Sequence, residues 1–86
     1  MVTLNKVLDD ATLALLAEDH DQLVRSDVAQ KRKLPRELFE QLAADPYESV
    51  RARIAWNPEA PEELIRILAS DASSIVREAA LRRLER

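Results

Sequence analysis

Three aspartates and three arginines recur at matching intervals along this 86-residue chain, as Asp19/Arg25, Asp45/Arg51 and Asp71/Arg77. An acid set near a base is the minimum equipment for proton transfer, so these are the first residues to weigh for catalysis. Their recurrence argues the other way. A residue needed once per repeating unit serves what each unit requires, namely a capped helix and a charge-paired junction with its neighbour, and all six are expected to form a structural ladder. His20, the sole histidine, lies in Glu18-Asp19-His20-Asp21, which offers the ligand types of a divalent-metal site. Metal ligands must converge, whereas four consecutive residues at a helix start diverge, and the helix dipole favours acids there in any case. No serine–histidine–aspartate set can be assembled, and the carboxylates have no platform for a sugar. The absence of Gly removes phosphate-cradling loops and dinucleotide fingerprints, and the absence of Cys removes thiolate nucleophiles, disulfides, zinc knuckles and cysteine-ligated clusters. The residues therefore predict a protein that is not an enzyme, with no catalytic residue, no cofactor and no metal.

The same spacing defines the elements that must hold these residues. Sliding the chain by 26 positions sets Leu16-Ala17-x-Asp19 on Leu42-Ala43-x-Asp45 and on Leu68-Ala69-x-Asp71. Val24-Arg25 falls on Val50-Arg51 and Val76-Arg77 in the same shift, and Pro35-x-Glu37-Leu38 on Pro61-x-Glu63-Leu64. Each copy contains two helical patterns. In the first, A, apolar residues at 38, 39 and 42 recur at 64, 65 and 68. In the second, B, apolar pairs at 24 and 28, 50 and 54, and 76 and 80 form an i, i+4 stripe. Pro35, Pro61 and Pro46 suit first helical positions, Asp19, Asp45 and Asp71 suit helix N-caps, and Asn57 before Pro58 suits a left-handed C-cap. The expectation is one all-α domain over residues 1–86, built from about three helical hairpins at approximately 9–33, 34–59 and 60–86, with the first copy the least regular.

Residues 50–71, Val50-Arg51-x-x-Ile54-Ala55-x-Asn57-Pro58-x-x-Pro61-x-Glu63-Leu64-Ile65-x-x-Leu68-Ala69-x-Asp71, resemble the leucine-rich repeat variant family, a HEAT-like group of bacterial helical repeats. The resemblance covers residues 34–81 well and 12–29 loosely, where Lys31-Arg32 replaces Asn-Pro. It implies a short right-handed α-solenoid in which some helices are 3₁₀-like, and an Asp and Arg ladder between units. Some relatives carry a cysteine-ligated iron–sulfur domain, for which this chain has no ligands.

Function must then sit where the copies differ. The B stretches and their exits hold ten cations against three acids, whereas the A stretches hold thirteen acids against two cations, so a chain of net charge −3 presents a basic face. Part of that segregation is helix chemistry, with Arg36/Glu40, Glu62/Arg66 and Glu78/Arg82 spaced as i, i+4 pairs. Trp56 is the strongest binding candidate. Its register mates are Gln30 and Arg82, both polar, which places it on an exposed row of B, although packing over the core edge beside Ile54 or Pro58 is the competing expectation. Tyr47 is expected to be partly buried near a turn. The leading expectation is a protein-binding module or scaffold anchored by Trp56, with Arg53, Lys31, Arg82 and Arg83 as a cationic rim. A nucleic-acid-binding module using the same basic face is the alternative, and self-association through end faces is a third. No apolar window has the length of a membrane span and no basic-then-apolar leader opens the chain, so a cytoplasmic protein without membrane contact is expected.

Overall fold

The computed structural model describes residues 9–85, and every regular element among them is an α-helix. In chain order these are α1 (Asp10–Leu16), α2 (Gln22–Ala29), α3 (Arg36–Ala43), α4 (Glu48–Trp56), α5 (Glu62–Leu68) and α6 (Ser74–Leu84), an A and a B helix for each 26-residue copy. The 3₁₀ helices implied by the family resemblance do not occur among the described residues. Even the shortest A helices open with bonds spanning four residues, Leu13 N–H to the Asp9 carbonyl and Ile65 N–H to the Pro61 carbonyl, at 3.0 and 3.2 Å.

The helix starts differ from the sequence expectation by a small and instructive offset. Pro35 and Pro61 are N-caps rather than first helical residues, with φ −59° in both and extended ψ. Their fixed φ is tolerated there, and the carbonyl supplies the first helical acceptor. Asp19, Asp45 and Asp71 are not caps at all. Each carboxylate accepts the N–H of the residue two ahead, Asp21, Tyr47 and Ser73, at 2.8 to 2.9 Å. These are Asx turns. The N-caps are the residues that receive them: Asp21, Tyr47 and Ser73. Pro46 consequently stands inside the turn, two residues before α4 begins. Asn57 is extended, at φ −73° and ψ 117°, and no described residue has a positive φ, so the left-handed C-cap is also absent.

The core follows the period. Leu13, Phe39 and Ile65 bury one register position of the A helices, and Val28, Ile54 and Ala80 bury one of the B helices, with Leu42, Leu68, Val50 and Val76 filling the space between. Each full burial of such a branched side chain contributes about 1.5–3 kcal/mol. α2 packs on α4 and α4 on α6, while α1, α3 and α5 pack on their own B partners. Two register positions of the B helices carry small residues in the first two copies. Ser26 and Ala29 on α2 and Ala52 and Ala55 on α4 are buried, whereas the same register positions on α6 are Glu78 and Leu81, both exposed. Among the described residues, no helix is long and apolar enough to cross a membrane.

Candidate interaction surface

The periodic aspartates and arginines meet across copies. Arg25 forks onto Asp45 through Nε–Oδ2 at 2.7 Å and Nη2–Oδ1 at 3.2 Å, and Arg51 onto Asp71 through Nε–Oδ1 at 2.9 Å and Nη2–Oδ2 at 3.0 Å. The remaining Nη1 turns back to its own copy, donating to the backbone carbonyl of Asp19 from Arg25, of Asp45 from Arg51 and of Asp71 from Arg77. The placement of Asp one turn ahead of the cap explains the arrangement. An Asx turn engages one lone pair of the carboxylate and leaves the rest facing the preceding B helix, where a planar guanidinium can take both oxygens. Burial works against the ionised form of Asp71, but the Arg51 guanidinium and the Ser73 amide outweigh it and hold its pKa below the usual aspartate value. The same pairing raises the pKa of Arg51. In the two complete rungs both carboxylate oxygens of Asp45 and of Asp71 are engaged by the guanidinium of the preceding copy. Asp19 and Arg77, at the two ends, have no opposite charge within ion-pair distance among the described residues.

His20 is exposed, its carbonyl accepts from Arg25 at 3.1 Å, and among the described residues no three metal-ligating side chains gather. Tyr47 is half exposed as the N-cap of α4, with the Arg25 guanidinium 5.4 Å from its ring centroid in a cation–π contact.

A second brace has no counterpart in the sequence expectation. Asn57 is only 2 % exposed, and its amide donates to the carbonyls of Ala29 and Lys31 at 2.8 and 2.7 Å while its Oδ1 accepts the Glu59 N–H. One period later, Arg83 donates to the carbonyls of Asn57, Pro58 and Ala60 at 2.6, 3.0 and 3.0 Å. Arg83, an expected member of the cationic rim, lines a cleft with Trp56 and turns its guanidinium onto backbone carbonyls just past α4. Three carbonyls of one short loop, those of residues 57, 58 and 60, lie within reach of a single guanidinium, whose planar fork of five N–H donors can serve them together. The signal was available as a shared register, since Lys31, Asn57 and Arg83 are 26 residues apart.

Trp56 ends α4 and is 55 % exposed, and its register mates Gln30 and Arg82 are exposed as well. Trp56 stands beside Pro58, with more than half of its surface still open. A shallow cleft of about 210 Å³ lies on one side of the indole, between Gln30, Arg32, Arg53 and Pro58. Another of about 190 Å³ lies on the other side, between Pro58, Ala79, Arg82 and Arg83. Trp56 is the wall between them. The structure thus brings Trp56, Arg53 and Arg82 together, keeps Lys31 exposed but outside both clefts, and adds Arg32, which shares its register with Pro58. The i, i+4 pairs Arg36–Glu40 and Arg66–Glu62 form at 3.0 and 2.7 Å, but no Glu78–Arg82 pair does. Among the described residues, Arg32, Arg53 and Arg82 have no carboxylate within ion-pair distance.

Comparison of the chain with protein-family models, with curated proteins and with solved structures found no match.

Proposed function

We propose that this chain is a HEAT-like helical-repeat module, a short right-handed solenoid of three hairpins similar to the leucine-rich repeat variant family, and that it binds another protein on the row of B-helix residues around Trp56. The serial packing of α2, α4 and α6 and the 44 × 27 × 18 Å extents support the stacked reading. The observation that carries the function is the placement of the indole. A tryptophan more than half exposed between two clefts withholds a large apolar surface from the core, and such side chains concentrate binding energy in interfaces. Arg32, Arg53 and Arg82 supply the polar border that orients a partner, with Lys31 at its margin. In this reading the chain binds and does not catalyse, since the periodic acids and bases are spent on holding the units together.

A photoreactive side chain introduced at position 56, and separately at the exposed Leu15 position on α1, tests the reading in intact cells. Protein adducts confined to position 56, and lost when Arg53→Glu and Arg82→Glu are added, are the expected result. Equal adducts at both positions would remove the basis for the assignment, and nucleic-acid adducts at position 56 would replace the protein partner with a polynucleotide.

A further inference from the structure

We infer that the partner segment is an extended, acidic peptide with one large apolar side chain, set between carboxylates two residues to either side. The inference rests on the binding surface proposed above and specifies what occupies it. Trp56 and Pro58 line both clefts, and each cleft carries cations, Arg32 and Arg53 in one and Arg82 and Arg83 in the other. None of these guanidinium groups has a carboxylate partner among the described residues, whereas Arg25, Arg36, Arg51 and Arg66 all do. Charge left uncompensated around an exposed indole is complementary to an anionic ligand with an apolar centre.

Geometry sets the spacing. Packed helices lie about 8–10 Å apart, so crossing from the α2 side of the patch to Arg82 on α6 covers roughly 16–20 Å. An extended segment of about six residues spans that distance. Along such a segment alternate side chains face the same way, about 7 Å apart, so an apolar residue over Trp56 directs the residues two before and two after it toward the arginines. The clefts are shallow and offer no closed cavity for a small molecule.

The acids at the border favour a peptide over a phosphate backbone. Asp27 lies against Gln30, with Oδ1 3.5 Å from Nε2, and Glu59 follows Pro58 on the rim shared by both clefts; both acids are exposed. A polynucleotide carries its charge at every unit and meets these carboxylates wherever it leaves the patch. It also gains from a series of aromatic platforms, and this surface has one. A peptide can place its acids at the two required positions and neutral residues elsewhere.

Trp56 is the only tryptophan, so its emission reports on the site directly. The probe is a capped peptide of about seven residues with a central Leu, Glu two residues to each side and Ser elsewhere. Its controls replace Glu by Lys or by Ser, and a fourth ligand is oligo-thymidylate. The Glu peptide should shift Trp56 emission to the blue, and its affinity should fall about tenfold between low salt and 0.5 M salt. Arg53→Glu and Arg82→Glu, with unchanged circular dichroism, should each weaken it about tenfold, and Arg53→Glu should gain affinity for the Lys peptide. If the Ser peptide binds as tightly as the Glu peptide, the docking surface stands and the acidic partner is wrong. Silence toward all three peptides overturns this inference, leaving the adducts at position 56 to decide the broader reading. Binding of the oligonucleotide alone overturns both.

Discussion

Arg83 donates to the backbone carbonyl of Asn57 at 2.6 Å, and Asn57 donates to the backbone carbonyl of Lys31 at 2.7 Å, so each contact spans one 26-residue period through a different side chain. The position selects for N–H groups that reach back, not for a residue type. Asn57→Ala should therefore cost about 2–3 kcal/mol, because it leaves the carbonyls of Ala29 and Lys31 short of donors in a buried place. In a domain of this size that lowers the melting temperature by roughly 10–20 °C, measurable by circular dichroism. Arg83→Ala should cost about 1 kcal/mol, since water can reach the partly exposed carbonyls it leaves. Equal losses would show that the two contacts are not graded by burial.

The ladder makes a different prediction for two arginines of identical register. Arg51→Ala removes both the fork to Asp71 and the bond to the Asp45 carbonyl and should destabilise by about 2–3 kcal/mol. Arg77→Ala removes only bonds to the carbonyls of Asp71 and Ala72 and should cost under about 1 kcal/mol. A double-mutant cycle of Arg51→Ala with Asp71→Ala should return a coupling of at least about 1 kcal/mol by urea unfolding. Additive losses would dissolve the ladder as a stabilising device.

The depressed pKa of Asp71 ties stability to pH with a definite sign. A carboxyl more acidic in the folded state than in the unfolded state contributes its full stabilisation above the ordinary value of 3.8 and loses it as the pH falls through the lower folded value. The urea midpoint should thus decline below about pH 4, and the Asp71→Asn variant should show a lower midpoint at neutral pH with a shallower acid decline. A variant that keeps the full acid slope would mean that other carboxyls carry it.

Trp56 should behave as a surface residue in the isolated chain. Its emission should resemble that of a solvated indole and quench readily with acrylamide. Trp56→Ala should change stability by less than about 0.5 kcal/mol. A larger loss, or a blue-shifted native spectrum, would return the indole to the core.

Much of the scaffold was legible because period and burial share one cause. Apolar residues that recur every 26 positions and every third or fourth residue have to face the same interior, and Val28, Ile54 and Ala80 do. Asp45 and Asp71 make the arginine pairs that their period implies, but they do not cap the helices. An N-cap and an Asx turn both want Asp just before a helix, and composition does not distinguish them; only the bond to a residue two ahead does. The backbone bonds of Arg83 are hidden in the sequence for a related reason. A terminal arginine reads as a solvated charge until backbone carbonyls from a segment 26 residues away are brought beneath it. The exposure of Trp56 is legible because its register mates Gln30 and Arg82 are polar, whereas the place of Arg32 beside it depends on the loop after α2.

The small buried positions of α2 and α4 bear on what a duplicated copy would carry with it. Ser26/Ala29 and Ala52/Ala55 are small and buried, whereas Glu78 and Leu81 occupy the matching positions on α6 and are exposed. A tandem duplication of residues 34–59 would present the same small positions, the same guanidinium fork and the same carbonyl-seeking asparagine in each copy. Each inserted copy would also bring its own tryptophan, so the single indole would become one indole per period.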